Sequence, residues 1–364
     1  MSDGPVFLHV GLKKTGTSYL QEIFRANEDA LAAQGLSMVP GSQIATRQLV
    51  RALKGQLQEG IDGPRARRAL VRLPRELDEA PGDRVLITDE VFGGSTPEQV
   101  TTLGKKLGPR EVHLVLTVRD LARTIPSAWQ QTIKGGSAMP YDDFVASVVS
   151  GEGEAANGFW RAYGVPELLQ RWAHLVPPER MHLVVLPQPG AAPTVLLERF
   201  CSVLGIDPAT LPPAANRANE ALGRGQAELL RRLNEGWSDL ARRRDLHNTV
   251  IKRGFGLRVL SPLGGDRIRL PAQYRPWVEE HTARTIDTLR QGGFAVVGEL
   301  GELQAPDSAF AVDLPPVDEA MVAEAATQAL HVLLENQVAE LYQHRIERAA
   351  QRRLERGQER DEQS

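Results

Sequence analysis

The residues best suited to chemistry lie close to the N-terminus. A short apolar run, VFLHV, is followed by the loop GLKKTGTS (residues 11–18) and then by Tyr19 and Leu20 at the start of a helical pattern. A glycine-bearing loop that opens a helix aims several backbone N–H groups and the positive helix end at one spot, which suits a phosphate or sulfate. Gly11 and Gly16 allow tight curvature and close backbone approach. Thr15, Thr17 and Ser18 add hydroxyl donors, and Lys14, with Lys13 beside it, adds a cation. The alternative is a surface turn capped by threonine and serine. A second feature is the acidic pair Asp89-Glu90 at the end of the apolar run VLIT. Strand alternation sends these two side chains to opposite faces.

The loop has the glycine spacing and the final hydroxyl of a nucleotide triphosphatase loop, G-x-x-x-x-G-K-[ST]. Thr17, however, stands where that motif needs its lysine, and the cation is moved forward to Lys14. RVLITDE (residues 84–90) also has the look of the strand that carries Mg²⁺ in those enzymes, with Asp89 on the metal and Glu90 on water. The displaced lysine weakens that reading, which leaves an ATP- or GTP-dependent phosphotransferase as the alternative function. The order Lys14-Thr15-Gly16-Thr17-Ser18-Tyr19 instead resembles the 5′-phosphosulfate loop of sulfotransferases that use 3′-phosphoadenosine 5′-phosphosulfate (PAPS). A second match follows: the apolar run of residues 112–118 ends in Arg119, and Ser127 comes eight residues later, the family's spacing for the pair that recognises the 3′-phosphate. A guanidinium fork suits phosphate oxygens; taken by itself, the segment could equally be a surface Arg119–Asp120 pair.

The resemblance implies a soluble bacterial-type enzyme that moves a sulfuryl group from PAPS to a hydroxyl, leaving adenosine 3′,5′-bisphosphate (PAP), with no metal. Lys14 would face the transferring group and its leaving oxygen, Thr17 and Ser18 the 5′-phosphate, and Tyr19 the adenine. The acceptor hydroxyl needs a general base, for which Glu90 is the choice and Asp89 the reserve. Carboxylate bases in the family point to a carbohydrate or glycosylated metabolite as acceptor. A non-catalytic nucleotide-binding scaffold is the third class of function in play. Lys252-Arg253-Gly254 is reminiscent of a late basic loop over the donor, and equally of a solvated basic turn.

The elements that must position these groups follow from periodicity. Strands are expected at residues 6–10, 85–88, 112–118 and 181–186, separated by helical stretches. This predicts an α/β fold: a P-loop-like parallel sheet flanked by helices, as in sulfotransferases, with a C-terminal helical extension. Pro126 suggests that the helix after residue 118 begins or kinks there. Tyr163, Leu168, Leu169 and Trp172 are read as core, and His9, inside the first strand, as structural. The resemblance extends over a domain of residues 1–305. QAPDSAFAVDLPPVD suggests a linker over 306–317, and apolar residues at helical spacing from Met321 to Leu354 predict one or two amphipathic helices within 318–364. These could pack on the core or form a homodimer.

Composition sets the outer limits. With 41% hydrophobic and 24% charged residues and a formal charge of −3, the chain reads as globular, and attraction for anions must be local; no nucleic-acid partner is expected. One cysteine, Cys201, rules out an internal disulfide framework and fits a reducing compartment. No leader pattern and no run of about 18 apolar residues is present, so a cytoplasmic protein without a membrane span is expected. Arg65, Arg67, Arg68, Arg72 and Arg75 form a basic cluster that could meet an anionic acceptor or be a solvated helix face.

Overall fold

The structure, a computed structural model, describes residues 4–212, 221–313 and 315–361, with backbone only from residue 349. The chain forms two compact units: residues 4–129, 140–212 and 269–313 make the first, and 130–139, 221–268 and 315–361 the second. Every residue placed above at the candidate donor and base positions lies in the first.

The first unit is built on a six-stranded parallel sheet. Its strands are β1 (Val6–Gly11), β2 (Leu36–Met38), β3 (Arg84–Thr88), β4 (Val112–Val118), β5 (Met181–Val185) and β7 (Ala295–Val297), in the spatial order β2-β3-β1-β4-β5-β7. A separate two-residue parallel pair joins β6 (Leu270–Pro271) to β8 (Phe310–Ala311), so part of the stretch expected as a linker pairs as strand. Alternate residues of the central strands explain the layers. Phe7, Leu86, Val115 and Val184 face a cluster formed with Leu20, Ile23, Phe24, Leu197 and Phe200. Their neighbours Leu8, Ile87, Leu114, Leu116 and Leu183 are equally buried on the opposite face. A sheet covered on both faces gives the nearly continuous apolar runs seen in the sequence. The fold is therefore the α/β class expected, with helices flanking a parallel sheet.

The strand order fixes where a ligand can bind. After β1 the chain goes to one side to make β2 and β3, then crosses β1 to make β4. This reversal opens a crevice beyond the carboxyl ends of β1, β3 and β4, the usual ligand position in open α/β sheets. The loop 11–16, the pair Asp89-Glu90 and Arg119 leave those three strand ends.

Two details differ from the sequence expectations. The helix after β4 runs from Leu121 to Lys134 with Pro126 inside it; it begins five residues before the proline. Four short strands, β2, β6, β7 and β8, had not been anticipated. In the second unit, one helix, Glu319–Asp361, forms the C-terminal extension. Val322, Ala325 and Ala329 are buried, whereas Leu330, Leu334, Val338, Leu341 and Ile346 are exposed. Among the described residues, no helix is long and apolar enough to cross a membrane.

Directly after Asp89-Glu90 the chain makes the 3₁₀ turn Phe92–Gly94, and this turn packs on β1. A Cβ at Gly93 would lie 2.6 Å from the Val10 carbonyl oxygen and 3.0 Å from a Leu168 methyl. Gly93→Ala is expected to lower stability by about 1–3 kcal/mol, the usual cost of overpacking. The check is a lower urea midpoint at unchanged slope; an unmoved midpoint would mean that the turn lifts off β1 without cost.

Candidate active site

The loop after β1 is shaped by two backbone positions with positive φ. Gly16 (φ 81°) is the N-cap of the helix Thr17–Ala26, and Lys14 (φ 65°) occupies a left-handed conformation that side chains seldom adopt. A Cβ at Gly16 would lie 2.4 Å from a methyl of Leu196, so only glycine lets the loop pass the helix Val195–Leu204. No side chain caps the helix Thr17–Ala26, leaving its first N–H groups available to an anion. Thr15 and Thr17 are buried, Ser18 is exposed, and Tyr19 packs partly against the cluster around Phe200 and Cys201. Burial is the main cause raising the Tyr19 phenol pKa above its usual value.

Behind the loop lies a row of polar side chains on the sheet face that carries the Phe7 cluster. His9, Thr88 and Thr117, from β1, β3 and β4, are each at least nine-tenths buried. Nδ1 of His9 lies 2.8 Å from Oγ1 of Thr88, and its Nε2 lies 3.5 Å from Oγ1 of Thr117. Gln21 donates from Nε2 to Thr88 (3.2 Å) and to Glu90 Oε2 (3.3 Å). Thr88 thus accepts from Gln21 and pairs with His9 Nδ1, while His9 Nε2 faces Thr117. Thr117 donates to the Gly11 carbonyl (2.9 Å), and its hydroxyl meets that of Thr15, which bonds the Leu12 carbonyl. Burial pushes the His9 pKa down to about 3, against an opposing hydrogen bond with the Gly11 backbone. The ring is therefore neutral, and His9 is structural as expected. The row connects the phosphate-type loop at one end to Glu90 at the other.

The two acids separate as alternation requires. Asp89 is buried and accepts from the Val91 N–H at 2.9 Å. Burial and then the neighbouring Glu90 push its pKa up to about 6, against the Val91 hydrogen bond and the charges of Arg47 and Lys13. Glu90 is half-buried, held by Gln21, and its Cβ lies 3.5 Å from where a Cβ of Gly11 would be. Glu90 is thus next to the loop with a carboxylate oxygen outside the core, whereas Asp89 is occupied in shaping the turn.

Arg119 and Ser127 meet: Nη2 of the arginine donates to Oγ of the serine at 3.1 Å and to the Arg123 carbonyl at 2.7 Å. The surface-pair alternative does not hold, because Asp120 pairs with Arg123 instead. Arg119 makes no ion pair with a described carboxylate, and its Nε is buried without a hydrogen-bond partner. Burial lowers its pKa to about 10, with the charge of Asp120 opposing. A half-buried guanidinium whose Nε is unpaired, next to a serine hydroxyl at a sheet's ligand edge, is suited to an oxyanion. The core set is confirmed, since Tyr163, Leu168, Leu169 and Trp172 are all buried. Lys252-Arg253-Gly254 lies within the helix His247–Leu260 of the second unit. The arginines of residues 65–75 form a solvated helix face, with Arg72 on Glu76 (3.0 Å) and Arg75 on Glu79 (2.7 Å). The cations that do gather near the acids, Lys54 and Arg171 among them, carry no motif and were not anticipated.

No protein-family model matches the chain, and no curated protein matches it. Among solved structures it is similar to a sulfotransferase from Alicyclobacillus acidocaldarius, at 15% identity and a TM-score of 0.38 over 66% of this chain and 99% of that one. It is also similar to the sulfotransferase domain of the curacin biosynthetic pathway, at 12% identity and a TM-score of 0.31 over 59% of this chain and 78% of that one. Both likenesses are remote.

Because the neutral form of Asp89 is favoured in the folded state, its stabilising effect is present below the ordinary carboxylate pKa and is lost as pH rises through about 6. Asp89→Asn, which stays neutral, is expected to match the wild type near about pH 4 and to exceed it by up to about 3 kcal/mol above about pH 7. Paired denaturation curves across this range test it; a difference independent of pH would mean that Asp89 does not titrate with a raised pKa.

Proposed function

We propose that the chain is a sulfotransferase that transfers a sulfuryl group from PAPS to a hydroxyl, with a carbohydrate or glycosylated metabolite as the acceptor. The observation that carries this reading is Arg119: a half-buried guanidinium with no ion pair to a described carboxylate, 3.1 Å from Ser127, on the same sheet edge as a loop whose lysine is Lys14. A 3′-phosphate suits the first and a 5′-phosphosulfate the second.

When bound, PAPS supplies the sulfuryl group and departs as PAP. The chain's residues take distinct parts. The uncapped N–H groups at Thr17 and Ser18 hold the 5′-phosphate, helped by the Ser18 hydroxyl. Thr15, whose hydroxyl is turned inward, contributes through its backbone, and Tyr19 borders the adenine. Lys14 stabilises charge growing on the leaving oxygen, a matter of placement and electrostatics as in phosphoryl transfer. Glu90 takes the proton of the acceptor hydroxyl as the new S–O bond forms and the bond to the leaving oxygen breaks. Gln21 orients that carboxylate. The reading places the reaction in the cytoplasm and needs no metal.

Calorimetric titration without metal is expected to show PAP binding that requires the 3′-phosphate, with 5′-AMP and ATP weaker. Arg119→Ala should weaken PAP by at least about tenfold, since a charge-assisted pair is lost. Better binding of Mg²⁺-ATP would favour the phosphotransferase reading. Glu90→Gln is expected to keep PAP affinity while losing turnover, and Lys14→Ala to lose on the order of 10²–10³ in rate; wild-type turnover in Glu90→Gln would remove that residue from the base role.

A further inference from the structure

Four cations from separate parts of the first unit gather around the turn that follows the acidic pair. Lys13 is in the loop after β1. Lys54 is the C-cap of the helix Gln43–Leu53, and its Nζ lies 3.7 Å from where a Cβ of Gly94 would be. Arg171, in the helix Val165–Trp172, donates from Nη2 to the Gly93 carbonyl (3.1 Å) and to the Arg161 carbonyl (2.7 Å). Its Nε is buried with no hydrogen-bond partner. Arg161 belongs to the helix Gly153–Tyr163.

These charges are not matched by acids. None of Lys13, Lys54, Arg161 and Arg171 makes an ion pair with a described carboxylate. Lys54 is partly buried, and its pKa is lowered to about 8, by burial first and then by Lys13, Arg161 and Arg171; Asp89 alone pulls the other way. Glu167 gives Arg171 a partial counter-charge from its own helix. Asp89, the nearest acid, is spent on the Val91 N–H. Four like charges around one turn, with Asp89 and Glu167 opposing them and no ion pair formed with a described carboxylate, repel one another. A protein keeps such a group where a ligand supplies the missing charge.

We infer that Lys13, Lys54, Arg161 and Arg171 form an anion site beside Glu90, separate from the donor's phosphate positions, which takes a carboxylate, sulfate or phosphate carried by the acceptor. The acceptor is then a hydroxyl compound that already bears a negative group, seated so that its hydroxyl reaches Glu90. Naming the occupant an acceptor rests on the sulfotransferase reading; the anion site does not. On the more obvious basic stretch, residues 65–75, Arg72 and Arg75 pair with Glu76 and Glu79, and none of its arginines is among the charges acting on Lys54.

The test is titration of inorganic phosphate into the full chain, with and without saturating PAP, for the wild type, Lys54→Met and Lys14→Ala. Phosphate is expected to bind the PAP-saturated wild type, and Lys54→Met to weaken it by about tenfold or more while leaving PAP affinity alone. Lys54→Met is also expected to melt no lower than the wild type without ligand, since it removes a repelled, partly buried charge; a merely structural lysine would show a drop. If PAP does not bind at all, the donor reading fails. The anion site still stands if phosphate uptake by the free protein is lost in Lys54→Met and kept in Lys14→Ala. Phosphate uptake by the PAP-saturated chain that survives Lys54→Met, or that is absent from both forms of the wild type, overturns it.

Discussion

The candidate site depends on the buried polar row His9–Thr88–Thr117. The three side chains come from adjacent strands, one step beyond the apolar layer of Phe7, Leu86 and Val115. A buried polar group without a partner costs about 1–3 kcal/mol, so the row holds together only when β1, β3 and β4 keep their register. The neutral imidazole links the hydroxyls of its two neighbouring strands. The loop is tied to the row through Thr15 and the Gly11 carbonyl, and Glu90 through Gln21. The spacing between loop and carboxylate is thus set inside the core, where water does not compete.

Charge is distributed with the same logic. The net formal charge is only −3, and many arginines away from the crevice have acidic partners, such as Arg231 with Glu228 (2.7 Å) and Arg199 with Glu302 (2.7 Å). At the carboxyl ends of β1, β3 and β4 the pairing lapses. Arg119 on one side and Lys54 with its neighbours on the other have no carboxylate partner among the described residues. The bulk charge of the chain therefore says nothing about the field in the crevice.

Much of this was legible in the sequence. The four long strands announce themselves as apolar runs, and the loop after β1 follows from glycine spacing and the displaced lysine. The juxtaposition of Arg119 and Ser127 follows from an eight-residue interval across a strand–helix corner. The edge strands β2 and β7 were not legible: three residues, LSM or AVV, give no periodicity, and their pairing is decided by the sheet already formed. Pro126 left a helix start or a kink open; the helix begins at Leu121 and runs through the proline, since a missing N–H weakens a helix without forbidding one. Lys54, Arg161 and Arg171 escaped for a different reason. Each lies on its own helix in an unremarkable local context, and only the crossing of the chain at β1 brings them to one turn. Of the arginines within residues 65–75, easy to see as a cluster, Arg72 and Arg75 pair with acids of their own helix.

The Arg119 guanidinium, half-buried with its Nε unpaired, has a consequence for the life of the molecule. An anion that seats on it binds the native chain and not the unfolded one. Native-state stability then depends on how much of that anion the surroundings supply, rising by about 2.7 kcal/mol at a hundredfold excess over its dissociation constant. Abundance, resistance to proteolysis and shelf life of the purified chain become functions of ligand supply, so that a chain starved of its ligand is cleared faster than one that is kept at work.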